Sequence, residues 1–166
     1  QTWKFSGLDS SKVIGTGTTL DTARLRFEIS DEININTKNI HAYVLGEHGD
    51  SEFVSWSNAT IGASDIDEFL STDKQEKIEN NVRNAAYNII DKKGNTSYGI
   101  GMSLTRITNA ILGDENTILT VSSYNSDLDV FIGEPTILNK DGVCKRIKLT
   151  LTEEEQIKFN IFLFNI

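Results

Sequence analysis

Along residues 73–90 the apolar positions Ile78, Val82, Ala85, Ala86, Ile89 and Ile90 recur between charged ones at helical spacing, which lays one broad apolar face on a helix. Gly94 and Asn95 interrupt the pattern after Lys92 and Lys93. It resumes over 98–112 with Ile100, Leu104, Ile107 and Ile111, until Gly113 stops it. This predicts a long helix pair with a break. A shorter stripe of Leu20, Ala23, Leu25 and Phe27 predicts a first helix over 18–29, with Thr18 or Thr19 placed ahead of Asp21 to cap it.

Residues 40–45 read as a strand that runs into Gly46-Glu47-His48-Gly49-Asp50, whose two glycines permit a tight turn. Beyond the helices, 118–122, 130–132, 135–138 and 145–151 cluster or alternate apolar residues, and Lys140-Asp141-Gly142 carries an Asp-Gly hairpin turn. The C-terminal third is therefore expected as antiparallel sheet. Thr152 followed by Glu153, Glu154 and Glu155 resembles a helix N-terminus, so a terminal helix should follow. The sum is an α+β domain in which a long broken helix packs on twisted antiparallel sheet. A chain of 166 residues with 38% hydrophobic content can bury one ordinary core and is short for two.

Charge narrows the function. A net charge of -8 supplies no basic stripe for phosphate neutralisation, which argues against a nucleic-acid partner. No stretch approaches the ~20 apolar residues of a membrane span, and no targeting segment is recognisable. The single Cys144 cannot form an intrachain disulfide, in keeping with a reducing cytoplasm. The chain opens on Gln1 and closes on the apolar run 159–166, as a fragment would.

Asp21 and Arg24 lie three residues apart on the first predicted helix, so both side chains can project from one face. A carboxylate beside a histidine orients its ring and favours the protonated form, while an arginine fork grips a carboxylate bidentately. His48 with Asp21 would make such a pair, suited to an acid loaded with a proton near neutrality. The same residues also suit a solvated helix ion pair and an ordinary turn histidine, and spacing does not separate the two. A metal site of His41, Glu47, His48 and Asp50 is weaker, because seven residues separate the histidines across a strand-to-turn change. No metal is expected. Gly15-Thr16-Gly17-Thr18-Thr19-Leu20 imitates a dinucleotide-binding loop, but it lacks the third glycine and a preceding buried strand.

Two segments carry a resemblance. Val13-Ile14-Gly15-Thr16-Gly17-Thr18-Thr19-Leu20-Asp21-Thr22-Ala23-Arg24-Leu25-Arg26 and Leu45-Gly46-Glu47-His48-Gly49-Asp50-Ser51 resemble the signatures of the lactate/malate dehydrogenase family, L-lactate type. Similarity continues through Trp3-Lys4-Phe5-Ser6-Gly7, Trp56-Ser57, 81–87 and 94–111, covering most of the chain. The resemblance implies the C-terminal, substrate-binding half of a cytoplasmic, homotetrameric NAD-dependent enzyme that interconverts pyruvate and L-lactate. The N-terminal Rossmann half, which holds most of the NAD, would be absent, leaving residues 1–166 inactive alone.

By the same resemblance, His48 protonates the substrate carbonyl, Asp21 is its partner and Arg24 clamps the substrate carboxylate. Thr96 lines the pocket near the substrate methyl group, and Ile100 contacts the nicotinamide ring. Arg26 and His41 match positions that bind the phosphates of fructose 1,6-bisphosphate, an activator, at a subunit interface. Malate-type and hydroxyisocaproate-type enzymes of the same family, or a catalytically dead assembly module, are the alternatives. Departures from the family occur after Ala63, around 124–129 and at 159–166.

Overall fold

The computed structural model describes residues 1–49 and 51–164. Asp50 of the expected turn and the last two residues of the apolar C-terminal run lie outside them. A short helix α1 (Thr2–Ser6) leads to α2 (Thr19–Ile33). Five two-residue strands follow: β1 (Ile40–His41), β2 (Val44–Leu45), β3 (Phe53–Val54), β4 (Thr60–Ile61) and β5 (Ser64–Asp65). Then come helices α3 (Thr72–Lys93) and α4 (Ser97–Leu112), strands β6 (Thr117–Asn125), β7 (Val130–Asn139) and β8 (Gly142–Arg146), and helix α5 (Glu153–Phe164).

The strands form three antiparallel sheets, β1-β4-β5, β2-β3 and the large β6-β7-β8 meander. The architecture is therefore α+β, as the alternation of periods predicts. The break between α3 and α4 falls at Gly94, whose φ of 78° is the left-handed cap that ends α3 at no Cβ cost. The two helices then serve different layers. Leu25 and Ile29 of α2 meet Ile78 and Val82 of α3 in the main core, with Ile40, Val44, Val54, Ile66 and Leu70 beneath them. Helix α4 instead lays Ile107 on Val121 and Leu138 of the large sheet.

Several boundaries depart from the expected ones. Helix α2 runs four residues beyond Ile29, because Ile33 still packs on the core before Asn34 turns left-handed. The strand expected over 40–45 is two short strands that pair with different partners, β4 and β3. Strand β7 is continuous through Pro135, where two strands are expected, since the ring's fixed φ suits extended backbone. Pairing of β8 ends at Arg146, so 147–151 is not strand. At the C-terminal helix the capping box forms in full. The Glu155 amide donates to Thr152 Oγ1 at 3.2 Å, and the Thr152 amide donates to Glu155 Oε2 at 3.0 Å. Glu155 also accepts from the Ser57 amide at 3.0 Å, which pins α5 against the β3–β4 connection.

Thr18 stands at the N-cap of α2, but its hydroxyl does not cap the helix. It donates 2.6 Å to the carbonyl of Val44 instead. Thr22, one turn on, accepts from the Val44 amide at 3.0 Å and from Thr120 Oγ1 at 2.8 Å. These buried bonds lace the first turns of α2 to β2 and β6. The glycine-rich run that imitates a dinucleotide loop is part of the same stitching, with Gly15 and Ser122 exchanging backbone bonds of 2.9 and 3.1 Å. Gly17 has φ 52°, and a Cβ there would lie 2.4 Å from the Ser122 nitrogen.

That close approach makes Gly17→Ala costly twice over, through the positive φ and through the clash with β6. The expected loss of unfolding free energy is about 1–3 kcal/mol, read as a lower midpoint at unchanged slope in chemical denaturation.

Candidate active site

The hairpin of β2 and β3 pairs Val44 with Val54 and Leu45 with Phe53, so the intervening loop must leave and return at one edge. Gly46 anchors its start by exchanging backbone bonds of 3.0 and 2.9 Å with Gly133 of β7. A bond from the Glu52 amide to the Gly49 carbonyl, 3.1 Å, closes its end. His48 is carried at the tip, directly over the N-terminal turn of α2.

There His48 Nδ1 lies 2.6 Å from Asp21 Oδ2, while Arg24 Nη1 donates 3.0 Å to Asp21 Oδ1. The Asp21 side chain is only 1% exposed, Arg24 is 15% exposed, and half of the His48 ring faces solvent. One buried carboxylate thus holds an imidazole on one oxygen and a guanidinium on the other. Because Asp21 occupies Nδ1, Nε2 is the ring nitrogen left over, and it has no hydrogen-bond partner among the described residues. A cleft of about 360 Å³, lined by Thr16, Gly17, Glu47, Ser122 and Gly133 among others, opens beside the ring.

The hydrogen bond to Asp21, then the nearby Glu52 carboxyl, raise the His48 pKa to about 10, against a smaller opposing effect of burial. The ring is therefore an imidazolium at neutral pH. Glu52 is the member that sequence reasoning missed. Its Oε2 lies 3.6 Å from His48 Nδ1, and its side chain is 7% exposed. Burial is the main cause that raises the Glu52 pKa, with the ring opposing it. The signal available was an acidic residue immediately ahead of the apolar pair Phe53-Val54, but nothing in its spacing says that the loop folds it back onto His48.

Among the described residues, His41, Glu47 and His48 of the metal set weighed from the sequence are not grouped as ligands, and its fourth member, Asp50, lies outside them. The His/acid cluster that does form comprises Asp21, His48 and Glu52, and the direct 2.6 Å contact occupies the Nδ1 position that a cation would need. Thr96 is the residue before α4, half-buried, and Ile100 lies one turn on and is exposed. Neither is hydrogen-bonded to the His48 cluster among the described residues. The first turn of α4 does abut the start of α2, since a Cβ on Gly99 would stand 3.1 Å from Leu20. Arg26 lies on the far side of α2, donating 3.2 Å from Nε to the carbonyl of Ala42 and stacking 5.2 Å from the Tyr43 ring centroid. His41, the residue before Ala42, is exposed and faces Thr60 across the β1–β4 pair. The two positions are therefore neighbours through one backbone bond. Arg26, Lys38 and Arg106 together rim a cleft of about 450 Å³.

Residues 18–163 match the model of the lactate/malate dehydrogenase, alpha/beta C-terminal domain. The chain belongs to this family. Among curated relatives, L-lactate dehydrogenase 2 of Bacillus anthracis is 48% identical over 95% of the chain, and L-lactate dehydrogenase 1 of Bacillus thuringiensis subsp. konkukian is 48% identical over 96%. Either alignment covers 54% of the relative, so the chain spans about half the length of the curated relatives it matches. The fold superposes on the crystal structure of a lactate dehydrogenase from a Medee basin deep-sea metagenome library with TM-score 0.95 and 51% identity, over 98% of this chain and 55% of that one. The minor L-lactate dehydrogenase of Enterococcus mundtii in its ligands-bound form gives TM-score 0.95 at 43% identity, over 99% and 55%. The α+β domain thus has the fold of the C-terminal domain of the lactate/malate dehydrogenase family.

Within this family domain the His48–Asp21 pair sets a pH dependence. A raised folded-state pKa contributes stability that is fully present below the unfolded value of ~6.5 and lost as pH rises through about 10. The melting temperature should therefore fall across that window more steeply in the wild type than in His48→Gln, measured by differential scanning calorimetry. The ring is half in water, so screening makes the difference smaller than the shift alone implies.

Proposed function

We propose that this chain is the substrate-binding half of an NAD-dependent L-lactate dehydrogenase, with His48, Asp21 and Arg24 as its working residues. The observation that carries the reading is the buried Asp21 carboxylate joining a protonated histidine to an arginine. His48 Nε2 delivers its proton to the carbonyl oxygen of pyruvate, and in the reverse direction takes it from the hydroxyl of L-lactate. Asp21 stabilises the imidazolium and fixes the ring so that Nε2 faces the cleft. Arg24 spends one terminal nitrogen on Asp21 and keeps Nη2 for the substrate carboxylate, which orients the carbonyl for reaction.

The cleft of about 360 Å³ beside His48, walled by Thr16 and Gly17, is the place this reading gives to the nicotinamide ring. NADH, when bound, supplies the hydride. Most of its contacts belong to a dinucleotide-binding half outside this chain. Support for such a covering half comes from α4, where Tyr98 and Met102 on one side and Ile100 and Leu104 on another stand exposed, apolar surface that a covering partner would remove from water. Thr96 then lines the substrate side of the pocket and Ile100 the nicotinamide side.

Arg26 and His41 form the effector position. Arg26 is on α2 and His41 on the adjoining β1, so a bisphosphate held there, with a second copy contributing the same pair, acts through α2 rather than by touching the substrate. Fructose 1,6-bisphosphate is the proposed activator and a homotetramer the proposed assembly.

In the full-length protein that carries this domain, His48→Ala should lower kcat for pyruvate reduction by about 10²–10⁴-fold, followed as NADH absorbance. Arg24→Lys should chiefly raise KM, since lysine cannot reproduce the fork. Full turnover by His48→Ala would sink the catalytic reading. Arg26→Ala combined with His41→Ala should abolish activation by fructose 1,6-bisphosphate at unaltered saturated kcat, and undiminished activation would remove the effector assignment.

A further inference from the structure

Glu52 has no part in the mechanism above, yet it is the most anomalous group near it. Its Oε2 is buried and lacks a hydrogen-bond partner among the described residues. Leaving a carboxyl oxygen buried and unbonded is costly, and a glutamine or an apolar residue in the same place would cost less. The side chain is nevertheless aimed at the Nδ1 side of His48, 3.6 Å away, on the flank that Asp21 also occupies.

The charged groups around Glu52 can be taken element by element. From α2 come Asp21, bonded to the ring, and Arg24, whose bond goes to Asp21. From α3, Arg83 reaches the backbone carbonyl of Glu52 at 3.4 Å rather than its carboxyl, and its own ion pair is with Glu79 at 3.1 Å. On the loop itself, Glu47 is exposed, and Asp50 lies outside the described residues. Among the described residues, His48 is thus the cation that answers the Glu52 carboxyl.

We propose that Glu52 is a positioning residue, a second carboxyl behind His48 that strengthens the ring's hold on its proton and draws that proton back after each transfer. The inference rests on the reading of His48 as proton donor. While the ring is charged, its Nδ1 edge faces two carboxyls, whose nearest oxygens are within 4.8 Å of one another. Once Nε2 has given its proton to the substrate oxygen, the two acids are left side by side against a neutral ring. That repulsion favours return of a proton to Nε2 from solvent and so resets the acid. Burial sharpens the effect, because it penalises the Glu52 charge and the charged ring offsets part of that penalty.

The test is an NMR titration of the ¹⁵N-histidine-labelled chain, whose two histidines are His41 and His48, with His41→Gln used to assign the signals. Glu52→Gln should lower the His48 midpoint by about one pH unit, a tenfold loss of proton affinity. Glu52→Asp, which keeps the charge but withdraws it, should lower it less and decides the matter if the glutamine variant fails to fold. An unchanged midpoint in either folded variant overturns the proposal, because a purely structural Glu52 would alter the melting temperature and not the titration. The readout is separate from turnover. A shifted midpoint with His48→Ala still active would leave the coupling standing and remove the dehydrogenase reading, and an unshifted midpoint with His48→Ala inactive would do the reverse.

Discussion

A carboxylate with 1% of its side chain exposed must be answered by charge, and around Asp21 the rest of the site is arranged to do so. Its two oxygens are divided between Arg24 and His48, which sit on different elements and would otherwise have no reason to meet. Removing Asp21 would leave a guanidinium and an imidazolium side by side, and removing either cation would leave a half-answered buried charge. The geometry of the cluster and its stability are joined at this one residue.

The position of Asp21 is in turn set by uncharged groups. Thr18 and Thr22 spend their hydroxyls on Val44 and Thr120 instead of on helix capping, which fixes the first turns of α2 against β2 and β6. Gly15 and Gly46 add backbone bridges to the large sheet, one just before α2 and one at the root of the His48 loop. Both partners of the ion pair are therefore tied to the same rigid meander. The ring can be held to a 2.6 Å contact although it sits at the tip of an exposed loop.

Much of this was legible in the residues. The 3.6-residue stripes located α3, α4 and the start of α2, and the Lys140-Asp141-Gly142 turn located the β7–β8 hairpin, because burial of one face imposes those periods directly. The motif around Asp21 and Arg24 and the one around His48 were visible separately. The strand expected over 40–45 failed as one unit, since its two ends pair with different partners, and no local pattern encodes which strand lies opposite. Glu52 was missed for a related reason, as a loop has no period that reports the direction of a side chain.

The sequence by itself determined the element types, the α+β class, the family and the identity of the ionisable groups, all of which follow from local periodicity and from motif. Only the tertiary structure decided that Asp21 is buried and shared, that His48 lines an open cleft, that Arg26 meets the backbone beside His41, and that a second carboxyl stands behind the ring. Those facts depend on long-range pairing and on the exclusion of water, and burial is a property that a residue acquires from its neighbours rather than from its place in the chain.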